Sequence, residues 1–199
     1  MLSIRHLVRL HLGPIDLDMA SGECVALRGR SGSGKSLFLR AIADLDPAEG
    51  AVALDGRDRN TMSAPDWRRQ VGYLPAESGW WADRVGAHFV DWSACRPMAE
   101  RLGLDPAVVD WSIARLSSGE RQRLGFVRLL ENRPCCLLLD EPTASLDEGA
   151  AEIVEQLVAE HCAAGGCCLF VTHDTAQFTR IARRGYRLED GVLVREGRA

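Results

Sequence analysis

An α/β fold with a mainly parallel sheet is the class that this sequence predicts, and three observations carry the prediction. Residues 24–27, 135–139 and 167–172 are short apolar runs without polar alternation, as expected of strands buried on both faces. Segments with helical patterning follow them, at 37–43, 148–163 and 175–182, which is the strand–helix alternation of a parallel sheet. Between the first strand and its helix lies a glycine-rich loop made of Gly29, Arg30, Ser31, Gly32, Ser33, Gly34, Lys35 and Ser36.

The remaining elements follow in order. Residues 2–19 alternate loosely through Ile4, Leu7, Leu10, Leu12, Ile15 and Leu17, which predicts two antiparallel edge strands with Gly13 and Pro14 as the break. A turn at 46–50 leads to a short strand at 51–54, closed by Asp55 and Gly56. Residues 70–75 read as a buried strand ended by Pro75. From 85 to 113 the pattern turns helix-like, with Pro97, Gly103 and Pro106 as breaks, and predicts a small helical subdomain. Ser117 opens a further helix that carries Leu124, Phe126, Val127 and Leu130, and residues 186–194 read as a closing hairpin. The expected organisation is one domain over 1–199. Its core takes in 1–84 and 114–199 together with the N-terminal antiparallel β-subdomain.

Composition narrows the function classes. The chain has 199 residues, 46% hydrophobic and 26% charged, with a net charge of −4, so no general nucleic-acid surface is expected. No apolar run is long enough to span a bilayer, and the N-terminus is charged too early for a signal peptide. A cytoplasmic protein is expected, with any membrane-spanning helices supplied by a partner. The seven cysteines include the adjacent pairs Cys135–Cys136 and Cys167–Cys168 inside apolar runs, without C-x-x-C spacing, and read as buried thiols in a reducing compartment.

The loop from Gly29 to Ser36 fits the G-x-x-x-x-G-K-[ST] pattern in the strand–loop–helix context that the pattern requires. Glycines let successive N–H groups turn toward phosphate oxygens, the helix N-terminus adds its dipole, and Lys35 adds a full charge. The Ser36 hydroxyl suits a Mg²⁺ that bridges the same phosphates. The pattern therefore implies a bound nucleoside triphosphate. Asp140 and Glu141 end the apolar strand at 135–139, where strand ends of an open α/β sheet face the ligand crevice. Asp140 suits the metal, and Glu141 suits orienting or deprotonating a water. His173 ends the next strand and is placed to sense a γ-phosphate. Ser117, Ser118, Gly119 and Glu120 open their helix with a capping-box pattern, and such an exposed N-terminus is also an anion site for a second copy's nucleotide.

Taken together these residues resemble the ATP-binding cassette (ABC) ATPases over essentially the whole chain. Gly29 to Ser36 resemble Walker A, Leu116 to Glu120 the LSGGQ signature, and Cys136 to Glu141 Walker B with its catalytic glutamate. Ser145, Leu146 and Asp147 resemble the D-loop, His173 the switch histidine, and 71–75 the strand before the Q-loop. The resemblance implies a P-loop NTPase core and a head-to-tail dimer, with a second copy or a homologous cassette. ATP and Mg²⁺ would lie between Walker A of one subunit and the signature of the other, with Lys35, Glu141 and His173 as catalytic residues. It implies transmembrane permease subunits on separate chains and a peripheral place on the cytoplasmic face of the membrane.

The sequence departs from the family pattern in three ways. Ala76 stands where a glutamine touches metal and water. No aromatic residue precedes Phe38, so His11 or Leu10 falls near the place of the base-stacking ring. Ser118 and Glu120 replace a glycine and a glutamine of the signature. These departures leave open a slow or non-hydrolysing regulatory cassette. A non-transport ABC ATPase is the other alternative, although no coiled-coil insertion or second cassette is present. Trp80 and Trp81 follow the Q-loop position, and at least one of them is expected to anchor a partner.

Overall fold

The computed structural model describes residues 1–196. In chain order, strands β1 (Leu2–Arg9), β2 (Leu12–Met19) and β3 (Cys24–Arg28) precede helix α1 (Lys35–Ile42). Strands β4 (Glu49–Leu54) and β5 (Arg57–Asp58), helix α2 (Ala64–Gln70) and strand β6 (Val71–Leu74) follow. Then come α3 (Trp92–Arg101), α4 (Ser118–Glu131), β7 (Cys136–Asp140), α5 (Glu148–Ala163), β8 (Cys167–Val171) and α6 (Thr175–Ile181). A hairpin of β9 (Arg184–Glu189) and β10 (Val192–Glu196) ends the described chain.

Two sheets result. The first is antiparallel in the order β2-β1-β4-β5, and the second runs β10-β9-β3-β8-β7-β6 with all pairs parallel except β9–β10. The long sheet is covered on both sides, as its apolar strands require. Cys136 and Leu138 of β7 and Leu169 and Val171 of β8 pack with α1 and the antiparallel sheet. Leu137, Leu139, Cys168 and Phe170 point the other way, into a core with α3, α4 and α5.

Some expectations need correction. β1 is interior to its sheet, between β2 and β4, so of these two strands β2 alone lies at an edge. The chain reverses at Leu10 and His11, and Gly13 and Pro14 lie within β2. An edge strand tolerates proline there because one side of its backbone has no ladder partner. Pro97 lies inside α3 and does not break it. Elsewhere in 85–113 the helix-like pattern yields only short 3₁₀ turns at Val85–His88, Pro106–Asp110 and Ile113–Arg115. Cys135 is exposed and precedes β7, while both Cys167 and Cys168 are buried.

Helix α2 has no counterpart in the sequence-based expectations. Ser63 caps it, accepting from the backbone of Asp66, and it has Pro65 in its first turn. It exists to place one side chain. Trp67 is fully buried, and its indole Nε1 donates to the carbonyl of Ile42 at 2.9 Å. Buried Arg59 donates to the carbonyl of Ala41 at 2.6 Å. Two carbonyls at the C-terminal end of α1 thereby gain side-chain donors, and the helix that follows the glycine loop is anchored from behind. Trp67→Phe should lower stability by about 1–3 kcal/mol through the lost hydrogen bond, and Trp67→Ala by about 3–5 kcal/mol through the cavity. Urea unfolding of both variants measures the difference.

Candidate functional site

The glycine loop leaves β3 after Arg28 and enters α1 at Lys35. Its backbone demands glycine at two points: Gly32 has φ +77° and Gly34, the residue before the helix, has φ +99°. A side chain on Gly34 would also strike Leu12 and His11. No side chain caps the N-terminus of α1, so its dipole end and first N–H groups remain available to an anion. Lys35 is 6% exposed and folds back over the loop, donating from Nζ to the carbonyls of Gly29 at 2.9 Å and Arg30 at 3.2 Å. Ser31, Gly32 and the Ser33 backbone form the rim beyond it, with Ser36 exposed on the first turn of the helix.

Asp140 and His173 come from neighbouring strands. β7 and β8 pair in parallel register, with Asp140 opposite Val171. Asp140 is 3% exposed, and its Oδ2 accepts from the Tyr73 hydroxyl at 3.3 Å. Burial, reinforced by the Asp140 carboxylate, pushes the Tyr73 phenol well above its ordinary pKa, so it stays a neutral donor. Glu141 adopts φ +51°, a strained conformation for a residue with a β-carbon, while its N–H still reaches the carbonyl of Val171 at 3.2 Å. The turn carries its side chain to His173, whose Nε2 lies 2.8 Å from Glu141 Oε1. Both groups keep access to water, with side chains 30% and 49% exposed. Those two residues, separate in sequence, therefore form one contact.

A second network braces this contact. Gln177, buried on α6, donates to Thr143 at 3.0 Å and to Glu155 at 2.8 Å, and Arg180 closes on Glu155 with two bonds. Burial raises the Glu155 pKa, but hydrogen bonds from Arg180 and Gln177 outweigh it and hold the carboxylate below its ordinary value. The segment after Glu141 and the helix after His173 are so joined through α5. A cavity of about 450 Å³ opens beside them, lined among others by Glu141, Thr143, His173 and Gln177.

The α4 N-terminus is set by a reciprocal capping box. Ser117 accepts from the Glu120 N–H, while the Glu120 carboxylate accepts from the Ser117 N–H at 2.8 Å. Gly119 lies against the backbone of Ser145 and the side chain of Leu146, with room for no β-carbon facing the Ser145 carbonyl, and Asp147 caps α5. Ser117 and Ser118 are exposed. A separate cavity of about 550 Å³ beside the glycine loop is lined by His11, by the loop and by the β9–β10 turn, and by none of Ser117 to Glu120.

The residues fit a magnesium-bound triphosphate. The buried Asp140 carboxylate has one protein donor among the described residues and keeps acceptor capacity for a cation. No group of three or more metal-ligating side chains occurs among the described residues. A cation held by one carboxylate, one hydroxyl and substrate phosphates needs none. Sequence reasoning missed Tyr73, Thr143, Gln177 and Glu155. An alternation count on 71–74 places Tyr73 on the face of Asp140, whereas nothing local announces the long-range Gln177 bridge. Of the two candidates for the base-stacking place, His11 lies against Gly34 and lines the cavity, while Leu10 points to solvent at 74% exposure.

The Ser117 N–H holds the Glu120 carboxylate below its ordinary pKa. Its contribution to helix stability is therefore complete above the ordinary glutamate pKa and is lost as pH falls through the depressed value. Glu120→Ala should cost roughly 0.3–1.5 kcal/mol at neutral pH and flatten the acid limb of the stability profile. Thermal melts between pH 3 and 7 test both effects.

Known proteins are similar to this chain over most of its length. Residues 12–144 match a family model described as ABC transporter. A cytochrome c biogenesis ATP-binding export protein, CcmA, of Bradyrhizobium diazoefficiens is 38% identical over 169 residues, covering 80% of this chain and 82% of the relative. An Fe(3+) ions import ATP-binding protein, FbpC, of Streptomyces coelicolor is 34% identical over 204 residues, covering 95% of this chain; the chain spans only 58% of that relative's length. Among solved structures, a dimeric post-hydrolysis ATP-binding cassette bound to ADP and Pi superposes with a TM-score of 0.79 at 24% identity, covering 100% of this chain and 98% of that one.

Proposed function

Because this chain belongs to the ABC transporter family, we propose that it is the ATP-binding and ATP-hydrolysing subunit of a transporter, closing head to tail on a second cassette around Mg-ATP and driving separate membrane-spanning subunits. The observation that carries the reading is the Glu141–His173 contact of 2.8 Å, formed on strained backbone between the ends of β7 and β8, with β8 the neighbour of the glycine loop's own strand. A carboxylate paired to an imidazole and open to water is the arrangement of a positioned general base.

The residues divide the work. Backbone N–H groups from Gly29 to Gly34, with Arg30, Ser31 and Ser33, bind the β- and γ-phosphates. Lys35 leaves its two carbonyl partners to neutralise them. Asp140 and Ser36 hold the cation, and Mg²⁺ when bound neutralises charge on the transferred phosphoryl group. Glu141 takes the proton of the attacking water, and His173 holds Glu141 in place and donates toward the γ-phosphate. Ser117, Ser118, Gly119 and Glu120 serve the nucleotide of the opposite subunit. Their absence from the cavity beside their own glycine loop supports that division. Ser145 and Leu146, which lie against Gly119, and Asp147 after them carry closure between the two sites.

The membrane subunits would meet the face around Trp81, which is 71% exposed, next to the helical subdomain at 85–113. Among the described residues no helix is long and apolar enough to cross a membrane; in this reading the spanning helices belong to other chains, and this chain sits at the cytoplasmic face. One of the two relatives is named for export and the other for import, so the cargo and its direction belong to the membrane partner. A slow or regulatory cassette is the second reading, favoured by exposed Ala76 at the position of the metal-contacting glutamine.

Three substitutions test the assignment. Lys35→Ala should abolish tight nucleotide binding. Glu141→Gln should keep binding, lower phosphate release by about 10²–10⁴-fold, and accumulate a dimer on size exclusion with ATP. Ala76→Gln should raise turnover. Wild-type hydrolysis by Glu141→Gln refutes the assigned base, and ATP binding without turnover in the wild type, relieved by Ala76→Gln, selects the regulatory reading.

A further inference from the structure

Tyr73 belongs to the edge strand β6, opposite Leu138 in parallel register with β7. Two residues further along β7, on the same face as Leu138, stands Asp140. That face carries α1, and Tyr73 packs against the same core as Phe38 and Ile42. The phenol thus reaches across the strand end to Asp140 Oδ2 at 3.3 Å, beneath the helix that bears Ser36.

Three facts make this bond more than packing. Asp140 is 97% removed from solvent by its 3% exposure, and Tyr73 is the only protein donor to its carboxylate among the described residues. A carboxylate without a donor rotates about its terminal torsion, which is broad; the single donor on Oδ2 of Asp140 fixes that rotation. Ala76, three residues after Tyr73, supplies no polar atom where the family pattern has a metal-contacting glutamine. The duty of holding the metal-side geometry then falls on fewer groups.

We propose that Tyr73 is a positioning residue for the magnesium site, its hydroxyl holding Oδ2 of Asp140 so that Oδ1 is presented to the cation. The proposal rests on the reading above that Asp140 serves the metal. Outer partners that orient a ligating group typically change metal affinity by about 10–100-fold when removed. Tyr73 touches neither nucleotide nor water in this role and acts through Asp140 alone.

The test uses Mn²⁺ as the probe, because its free form is read directly by electron paramagnetic resonance. Mn²⁺ is titrated into the full chain with a non-hydrolysable ATP analogue, for wild type, Tyr73→Phe and Asp140→Asn. Tyr73→Phe keeps the ring and removes only the hydroxyl. It should weaken Mn²⁺ about 10-fold, while nucleotide binding in EDTA and the melting temperature without metal stay at wild-type values. In steady-state assays the same variant should need more Mg²⁺ for half-maximal rate and recover the wild-type kcat at saturating Mg²⁺. Placing Ala76→Gln in the Tyr73→Phe background should restore part of the lost affinity.

Unchanged or tighter Mn²⁺ binding by Tyr73→Phe, with Asp140→Asn weakened, overturns the role of Tyr73 and leaves the metal assignment standing. Unchanged binding in both variants overturns the metal assignment itself. A Tyr73→Phe protein that loses nucleotide in EDTA, or melts early without metal, shows that the hydroxyl is merely structural and also overturns the proposal. Should Tyr73→Phe not fold, Tyr73→Met, which keeps apolar bulk and carries no donor, is titrated in its place. Wild-type melting with weakened Mn²⁺ then supports the proposal, and wild-type affinity counts against it.

Discussion

Everything at the site depends on three parallel strands ending at one level. Leu27 of β3 and Asp140 of β7 both sit opposite Val171 of β8. A parallel ladder fixes this register continuously along its length, so three loops emerge side by side from one sheet edge. The glycine loop, the Asp140–Glu141 pair and the Thr172–His173 pair are those three loops. A one-residue slip of β8 would exchange Cys168 and Phe170 with Leu169 and Val171 across the sheet. Both faces are apolar, so burial alone resists that slip weakly. The long-range bonds at the strand ends supply the missing specificity: Thr172 N–H to Leu27, Cys168 N–H to Glu23, and Glu141 N–H to Val171.

The same ends are held from outside the sheet. Trp67 and Arg59 secure the far end of α1, so the N-terminus of that helix cannot recede from a bound anion without breaking buried hydrogen bonds. On the other side, the Thr143–Gln177–Glu155–Arg180 chain ties the Glu141 turn to the His173 turn. Strain at Glu141, of order 1–3 kcal/mol for such a conformation, is therefore opposed by bonds on both flanks. The rigid parts are those to which the proposed function assigns phosphate and base. Lys35 and His173 carry the groups free to shift: the first is bonded only to loop carbonyls, and the second is half exposed.

How much of this was legible in the sequence follows from how local each cause is. The buried strands, the glycine loop, α5 and the terminal hairpin each carry their signal within a few residues, and α5 runs from Glu148 to Ala163 as the helical pattern indicates. The capping box of Ser117 and Glu120 was likewise readable from two residues at the right spacing. Helix α2 was not. Its seven residues hold one apolar anchor, Trp67, and its reason for folding lies 25 positions earlier, at the Ile42 carbonyl. Pro97 misled because proline breaks helices on average, whereas here it stands sixth of the ten residues of α3 and the helix continues through it to Arg101. Asp140, Glu141 and His173 could be named from strand ends, but the geometry of their contacts could not. It depends on the φ of Glu141 and on Tyr73, which lies 67 residues from its partner.

Loss of the Q-loop glutamine does not detach the partner face from the site. Gly125 of α4 meets Ser78 so closely that a β-carbon would collide with its hydroxyl, and Arg128 of the same helix donates to the Gly79 carbonyl at 3.0 Å. The Arg128 guanidinium lies over both Trp80 and Trp81, at 4.5 and 4.8 Å from the ring centres. Burial lowers its pKa, and these aromatic faces offset part of the cost of holding a cation there. His88 meets both indoles edge-on, which joins the beginning of the 85–113 segment to the same cluster. Ser78 through Trp81 are thus fastened to the helix that Ser117 opens, by packing and by a charge rather than through the missing glutamine. In the proposed transporter, a load applied by a membrane subunit at Trp81 reaches the helix that faces the opposite nucleotide through these contacts. The glutamine's remaining task would be at the metal, where Asp140 already stands under the hand of Tyr73.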